Sequence, residues 1–288
     1  MNYLKRAKQF RTKKCLGQNF LVCENTINLI VKKADIQSDD VVVEIGPGIG
    51  FVTEQLAQRA GEVIAIEIDE NAITELKKLP FNNIKIIHQD VLKTDISIFS
   101  DKKMKVVANI PYYITSPILV HLLGEIDQPD YKIRQSVKEI ILMVQYEVAQ
   151  RIVATESSPN KAYGTLSVLC NYWSKPEIIA KVPANCFYPA PKVDSALLKL
   201  TVRDNPPVTP DNPKLFRQVV QAAFGVRRKT IKNALGVAGF NKEMINISLE
   251  RCKIDPKRRG ETFSMEEFKL LSDVLNELQK NEYQKGAK

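Results

Sequence analysis

The chain has 288 residues, of which 44% are hydrophobic and 26% are charged, and its formal net charge is +9. These proportions are typical of a globular protein with one large domain and a smaller one. No apolar run reaches the roughly 18 residues that a membrane-spanning helix needs. The first residues lack the apolar core of a signal peptide, so we expect a cytoplasmic protein without a membrane partner.

The positive charge is concentrated at the two ends of the chain. Residues 1–20 carry +6 and residues 205–288 carry another +6, whereas residues 21–204 carry −3. A near-neutral segment between two basic ones is typical of a catalytic domain flanked by nucleic-acid-binding segments. The alternative is a basic protein whose charges are merely solvated.

Cysteine and histidine are sparse. The five cysteines are odd in number and have no C-x-x-C spacing, which predicts free thiols in a reducing cytoplasm. The two histidines lie in no cluster with cysteines or acids, so we expect no metal. These residues are Cys15, Cys23, Cys170, Cys186, Cys252, His88 and His121.

Strands and helices alternate through the first two thirds of the chain. After a basic arm over 1–20, we predict strands over 41–45, 62–66, 84–87, 105–108 and 138–143. Helices are predicted over 24–34, around 56–57, around 72–76, after a cap at Thr115 or Ser116, over 147–154 and over 164–173. Two more strands, over 177–183 and 194–202, are antiparallel candidates for the sheet edge. This alternation predicts an α/β fold with a doubly wound, mostly parallel sheet.

The pattern changes after a proline-rich linker over 204–213. From there only helices are predicted, over 213–224, 227–236, 242–252 and 265–280, the last opened by a capping box at Ser264 and Glu267. We therefore predict three segments: a basic arm over 1–20, an α/β domain over 21–203 and a small all-helical domain over 204–288.

A glycine-rich turn, Gly46-Pro47-Gly48-Ile49-Gly50, links the first predicted strand to a helix. Glu67, at the end of the next strand, could hold both hydroxyls of a ribose, and Asp90 could accept from an adenine amine. A dinucleotide fingerprint requires G-x-G-x-x-G, but position 51 is Phe. The G-x-G-x-G pattern favours S-adenosylmethionine, which has no pyrophosphate to bind at a helix N-terminus. A tight turn with solvated acids is the alternative.

The stretch Asn109-Ile110-Pro111-Tyr112 follows a predicted buried strand, where ligands bind in an open α/β sheet. The amine of a nucleobase is a poor nucleophile, because its lone pair is delocalised into the ring. The side-chain oxygen of Asn109 and the carbonyl of Ile110, fixed by Pro111, could accept its two N–H bonds and turn the lone pair outward. Tyr112 could stack on a flipped-out base. The alternative is an ordinary strand followed by a turn.

In combination, these features resemble an S-adenosylmethionine-dependent nucleobase amino-methyltransferase. Closer motifs resemble the ribosomal RNA adenine dimethyltransferase family, and within it the bacterial small-subunit branch. They are residues 16–21, 109–117, 187–195 (F-x-P-x-P-x-V-x-S) and 224–230 (F-x-x-R-R-K-T).

The resemblance implies a Rossmann-like class I methyltransferase that dimethylates N6 of two adjacent adenines near the 3′ end of small-subunit rRNA. It also implies a role in late small-subunit assembly. We expect the protein to be a monomer. Carried over by position, the cofactor site would be Asn19, Leu21, Gly46, Gly48, Glu67, Asp90 and Asn109. The target adenine would be held by residues Asn109, Ile110, Pro111 and Tyr112, with Phe187 as a second stacking face. A basic helix with Arg227, Arg228, Lys229 and Lys232 would contact rRNA phosphates.

Three alternatives remain open. A macrolide-resistance methylase, which modifies large-subunit rRNA, shares the Asn-Ile-Pro-Tyr turn, although residues 113–117 and the full F-x-P-x-P loop favour the small-subunit branch. The second is an RNA-binding assembly factor whose catalysis is incidental or lost; the intact cofactor motifs argue against loss but are compatible with an assembly role alongside methylation. DNA adenine methylation is the third, because phosphate contacts do not distinguish DNA from RNA.

Overall fold

The structure, a computed structural model, describes residues 2–13, 16–159, 162–226 and 228–286. By their internal contacts these residues form two compact units. The first comprises the described residues within 1–124, 130–150 and 174–204. The second comprises 125–129, 151–173 and the described residues from 205 onward. The predicted α/β domain included 151–173, whereas these contacts group that segment with the C-terminal helices. The three-segment division stays a prediction.

A seven-stranded sheet organises the first unit. The strands of the described chain are β1 (Phe20–Leu21), β2 (Val41–Ile45), β3 (Glu62–Glu67), β4 (Ile84–His88), β5 (Met104–Asn109), β6 (Val137–Gln145), β7 (Ser174–Val182), β8 (Phe187–Tyr188) and β9 (Ser195–Val202). The order in the large sheet is β4-β3-β2-β5-β6-β9-β7. The first five strands are parallel, and β9 pairs antiparallel with both β6 and β7. The predicted doubly wound, mostly parallel sheet is confirmed.

Most helices of the described chain follow from the sequence pattern, whereas α1 and α6 were not predicted. They are α1 (Tyr3–Gln9), α2 (Glu24–Ala34), α3 (Phe51–Ala57), α4 (Glu70–Leu76), α5 (Thr115–Leu123), α6 (Lys132–Gln135), α7 (Tyr146–Val153), α8 (Thr165–Trp173), α9 (Pro213–Gly225), α10 (Ile231–Val237), α11 (Lys242–Arg251) and α12 (Met265–Gly286). In α2 the buried residues recur at helical spacing, at Ile27, Ile30, Val31 and Ala34. Among the described residues, no helix combines the length and apolar character needed to cross a membrane.

Two local predictions need correction. Neither Thr115 nor Ser116 caps α5: the residue before the helix is Ile114 without a side-chain cap, and the Thr115 hydroxyl donates to the Tyr112 carbonyl instead (3.1 Å). Helix α10 begins at Ile231 rather than at 227, because Thr230 has extended backbone and the Ile231 N–H donates to the carbonyl of Arg258 (2.7 Å). The capping box before α12 is confirmed by reciprocal hydrogen bonds between Ser264 and Glu267 (3.0 and 3.2 Å).

The N-terminal segment is part of the first unit and packs against its core. Helix α1 buries Tyr3 and Ala7 in the hydrophobic core. Farther along, β1 pairs antiparallel with β8, in the register Phe20 with Tyr188 and Leu21 with Phe187. The sequence predicted neither α1 nor this small sheet. As a result, the beginning of the chain is joined to the F-x-P-x-P loop.

Candidate active site

A cavity of about 330 Å³ lies at the carboxyl ends of strands β2 to β5. This is the position that a doubly wound sheet offers to ligands. Ten of the predicted site residues line it: Asn19, Leu21, Gly46, Gly48, Glu67, Asp90, Asn109, Ile110, Pro111 and Tyr112. The structure therefore brings the cofactor and adenine residues of the sequence prediction into one place, although their individual roles stay proposals.

Asn109 ends β5, and its side-chain amide is oriented by the N-terminal segment. Asn109 Nδ2 donates to the backbone carbonyl of Asn19 (3.1 Å). Because a carbonyl can only accept, the amide nitrogen must face Asn19. Oδ1 then points away from Asn19 and has no hydrogen-bond partner among the described residues. An unpaired amide oxygen on the cavity wall is suited to accept an N–H from a ligand.

The two residues that follow Ile110 are also held in place. Pro111 has a φ of −57° and fixes the turn after β5. The Tyr112 hydroxyl hydrogen bonds to Ser195 Oγ (2.5 Å), a fully buried residue at the start of β9. Burial raises the pKa of the Tyr112 hydroxyl, and its hydrogen bond with Ser195 opposes that shift. Ser195 belongs to the F-x-P-x-P-x-V-x-S motif, but nothing in the sequence indicated that it anchors Tyr112.

The glycine turn closes one side of the cavity. Gly46, Gly48 and Gly50 all have positive φ, at +64°, +57° and +88°. A Cβ on Gly48 would lie 2.7 Å from Cε1 of Phe20, so the turn is glycine at this point because β1 packs against it. The turn therefore lines the cavity with glycine backbone and supports the N-terminal segment.

Glu67 ends β3 and is held by three backbone N–H groups. Oε2 accepts from Gly48 (3.0 Å), and Oε1 accepts from Ile68 (2.8 Å) and Asp69 (2.9 Å). Burial nevertheless raises the pKa of this carboxyl. A carboxylate offers about four acceptor positions. Holding both hydroxyls of a ribose would therefore require one backbone N–H to be exchanged.

Glu44 is a cavity residue that the sequence reasoning did not single out. It lies in β2, is 3% exposed, and its Oε2 has no hydrogen-bond partner among the described residues. Burial raises the pKa of Glu44 to about 8. The nearby Glu67 carboxylate also raises this pKa, whereas the Thr53 hydroxyl lowers it. A buried carboxyl without a partner is costly unless a cation or donor reaches it. The only sequence signal was an acid within an apolar strand.

Asp69 and Asp90 follow the carboxyl ends of β3 and β4. Asp69 is 1% exposed and accepts from Lys13 Nζ and Gln18 Nε2, both at 2.7 Å. Burial alone would raise the pKa of Asp69, but the hydrogen bonds from Lys13 and Gln18 outweigh it and lower the pKa overall. Asp90 Oδ1 accepts from the Leu92 N–H (3.0 Å), while Oδ2 has no hydrogen-bond partner among the described residues. Lys13 thus anchors the N-terminal segment to Asp69. Asp90 Oδ2 is available to accept a hydrogen bond from a ligand.

Phe187 is placed differently from the other predicted site residues. Its ring is 3% exposed in β8 and packs in the hydrophobic core with Phe20 and Leu21. It does not line the cavity described above. The predicted stacking role of Phe187 stays a prediction, and it requires the ring to be uncovered.

The predicted RNA-binding residues belong to the second unit. Arg228 and Lys229 are exposed in the turn between α9 and α10, and Lys232 is exposed in the first turn of α10. The expected basic helix is therefore a basic turn followed by a helix, because α10 begins only at Ile231. Arg227 lies outside the described residues.

The strand order and the cavity at the ends of β2 to β5 define a Rossmann-like methyltransferase of class I. Residues 9–277 match the model of the family described as ribosomal RNA adenine dimethylase. The chain belongs to this family, as the sequence motifs predicted.

Individual relatives agree with this assignment. A ribosomal RNA small subunit methyltransferase A of Clostridium botulinum (strain Loch Maree / Type A3) is 45% identical over 277 residues, which are 94% of this chain and 96% of that protein. The crystal structure of a dimethyladenosine transferase from Plasmodium falciparum is 26% identical, covers 86% of this chain and 94% of its own, and has a TM-score of 0.73. The crystal structure of the 23S rRNA methyltransferase ErmE is 25% identical in sequence, covers 90% of this chain and 100% of its own, and has a TM-score of 0.65.

Proposed function

We propose that this protein transfers methyl groups from S-adenosylmethionine to N6 of two adjacent adenines in the hairpin loop near the 3′ end of small-subunit rRNA. The product is N6,N6-dimethyladenosine. The observation that carries the proposal is the bond from Asn109 Nδ2 to Asn19 O, which leaves Oδ1 free on the cavity wall. The relative at 45% identity, named for the small subunit, supports this substrate over the large-subunit rRNA named for ErmE at 25%.

The residues at 109–112 would hold and orient the adenine. Asn109 Oδ1 and the carbonyl of Ile110 accept the two N–H bonds of the amine, so its lone pair leaves the plane of conjugation and faces the donor. The Tyr112 ring, fixed through its hydroxyl, offers a face for the base. No strong base is required, because the amine loses its proton readily once alkylated. The site works mainly through orientation.

The cavity fits the methyl donor in its polar groups. The donor supplies, when bound, an electrophilic methyl group on a sulfonium. Glu67 would accept from its ribose and Asp90 Oδ2 from its adenine amine, while the glycine turn allows close approach. The unpartnered Oε2 of Glu44 would accept from the ammonium group of the donor. This contact would favour the ionised form of Glu44.

The second unit would supply contacts to rRNA phosphates through exposed Arg228, Lys229 and Lys232, together with Arg227. We further propose that the enzyme is a monomer and acts in the cytoplasm on rRNA within an assembling small-subunit particle. A hairpin within folded rRNA must be accessible for its bases to be flipped, which requires a particular state of the particle.

The test is to incubate the protein with methyl-labelled S-adenosylmethionine and, separately, with unmethylated small-subunit particles, large-subunit rRNA and duplex DNA. The labelled nucleoside is then identified after digestion. We expect N6,N6-dimethyladenosine from the small-subunit particles alone. Label in large-subunit rRNA would replace the proposal with the resistance-type activity, and label in duplex DNA would replace it with DNA methylation.

A second arm separates catalysis from a role in assembly. Cells that carry Asn109→Ala in place of the wild-type protein should lack the dimethylated adenines. If they also show the small-subunit phenotype of a deletion, methylation itself is required. If the phenotype is rescued while the adenines stay unmethylated, the protein is primarily an RNA-binding assembly factor.

A further inference from the structure

Two cysteines meet where the N-terminal segment joins the F-x-P-x-P loop. Cys23 immediately precedes α2, and Cys186 immediately precedes β8. The N–H of Val22 donates to the carbonyl of Cys186 (2.8 Å), which extends the β1–β8 pairing by one position. Cys23 is therefore the next residue after the one that faces Cys186, and each thiol influences the pKa of the other. Both side chains are partly exposed, so small solutes can reach them.

The two thiols differ in acidity. Burial alone would raise the pKa of the Cys23 thiol, but hydrogen bonds from Thr26 and from the Cys186 thiol lower it overall. The backbone N–H of Asn25, at the N-terminus of α2, acts in the same direction. Burial raises the pKa of Cys186, and so does its neighbour Cys23. The pKa of the Cys23 thiol is thus lowered and that of the Cys186 thiol is raised, so Cys23 is the more acidic of the two.

The other described cysteines have no such environment. Cys170 is fully buried, and burial raises the pKa of its thiol to about 12. Cys252 is partly exposed like the pair, but burial raises its pKa. Cys252 is thus an internal reference, similar in exposure and without an acidic thiol. Cys15 lies outside the described residues.

We propose that Cys23 and Cys186 form a reversible, peroxide-responsive dithiol that closes a disulfide across the β1–β8 sheet. A partly exposed thiol with a lowered pKa next to a second thiol is the arrangement that oxidises readily to a disulfide. This modification site is separate from the cavity, whose described lining includes neither cysteine.

The chemistry needs hydrogen peroxide as the two-electron oxidant. The Cys23 thiolate attacks one peroxide oxygen, the O–O bond breaks, and the leaving hydroxide takes up a proton to give water. Cys23 is then a sulfenic acid. Sγ of Cys186 attacks Sγ of Cys23, the S–S bond forms, the S–O bond breaks, and the hydroxide leaves with the Cys186 proton as a second water. A dithiol reductant reverses the reaction by thiol–disulfide exchange.

A disulfide between Cys23 and Cys186 would restrict the movement of both β1 and β8. Strand β1 follows Asn19, whose carbonyl orients Asn109, and strand β8 holds Phe187 with its ring covered. A covalent link between these strands keeps Phe187 in the core. If the ring must be uncovered to stack on adenine, the oxidised protein should bind the donor but lose methyl transfer. This consequence rests on the proposed function.

The experiment uses the full chain with Cys15→Ser, to remove mixed pairing. The protein is treated with a small excess of hydrogen peroxide, alkylated, digested and analysed by mass. We expect a cross-linked peptide pair joining Cys23 to Cys186, two hydrogen masses lighter and restored by dithiothreitol. At pH 7, alkylation of reduced Cys23 should be on the order of tenfold faster than that of Cys252.

Single variants give the matched controls. In Cys186→Ser, Cys23 should stop at the sulfenic acid and react with dimedone, while in Cys23→Ser, Cys186 should stay reduced. Equal reactivity of Cys23 and Cys252, or only intermolecular disulfides, would overturn the proposal. Peroxide should lower methyl transfer in the parent and leave Cys23→Ser unaffected. A disulfide that forms without that loss would overturn the effect on catalysis and leave the proposed function standing.

Discussion

At the scale of single residues, the direction of one amide decides what the site can do. Asn109 could in principle turn either its oxygen or its nitrogen toward a ligand. The carbonyl of Asn19 accepts from Nδ2 and so selects the oxygen. An adenine amine is a donor, and this orientation matches it.

Asn109→Ala should reduce kcat for methyl transfer by on the order of 100-fold or more, because it removes an acceptor that positions the amine. Binding of the methyl donor should change far less, since Glu67 and Asp90 are untouched. Single-turnover methylation and calorimetric donor binding measure the two effects. Asn82→Ala, at an exposed turn residue, is the matched control. Equal losses of binding and turnover would contradict the positioning role.

Glu44 has a measurable consequence for stability. Its pKa is about 8 in the folded protein, raised by burial from an ordinary value of 4.5. Between these two pH values the folded state holds a proton that the unfolded state has released. The free energy of unfolding should therefore fall as pH rises through this window, by up to about 1.4 kcal/mol per pH unit.

Glu44→Gln should remove that slope, because the amide does not titrate. Urea unfolding of the ligand-free protein at pH 5, 6, 7, 8 and 9 measures it, with Glu70→Gln, at an exposed side chain, as the comparison. Parallel curves for wild type and Glu44→Gln would mean that Glu44 is already ionised in the folded state. Added donor should flatten the wild-type curve, since its ammonium favours the carboxylate.

At the scale of elements, the glycine turn and β1 depend on each other. Gly48→Ala places a Cβ against the Phe20 ring at a position with positive φ, so it should destabilise the fold by about 1–3 kcal/mol. Gly236→Ala, in α10 with no atom near the new Cβ, should stabilise it by about 0.5–1 kcal/mol. Urea midpoints measure both. An unchanged urea midpoint in Gly48→Ala would mean that β1 does not pack tightly against the turn.

The sequence predicted the elements with local signals and missed those that depend on distant partners. Strand β2 and helix α2 carry clear apolar patterns, and both were placed correctly. Strands β1 and β8 are two residues long and exist only because they pair with each other. The hydrogen bond from Tyr112 to Ser195 likewise joins residues far apart in the chain. No periodicity within one segment can reveal such pairs.

At the scale of the whole molecule, the charges are used in two ways. Arg6 and Lys13, in the basic N-terminal segment, pair with Glu54 (2.9 Å) and Asp69 (2.7 Å). Part of the positive charge at this end therefore holds the segment to the rest of the first unit. The sequence could count these charges but could not say which of them are neutralised within the protein.

The exposed cations of the second unit should make the affinity for rRNA depend on salt concentration. Replacing Arg228 and Lys229 with Glu should weaken rRNA binding and reduce the slope of log K against log salt by about 0.7–0.9 for each phosphate that is no longer neutralised. Filter binding between about 50 and 200 mM salt measures this. Lys77→Glu, at an exposed residue directly after α4, is the matched control. An unchanged slope in the double variant would show that this turn does not meet phosphate.

The β1–β8 pairing also sets an order of events during synthesis. Strand β1 is made near the start of translation, whereas its partner β8 follows six of the seven strands of the large sheet. At roughly 5–20 residues per second, β1 waits on the order of ten seconds for β8 to be made. Until then nothing in the small sheet holds the carbonyl of Asn19 near Asn109. A nascent chain halted before residue 187 should therefore contain most of the sheet and yet lack a completed site.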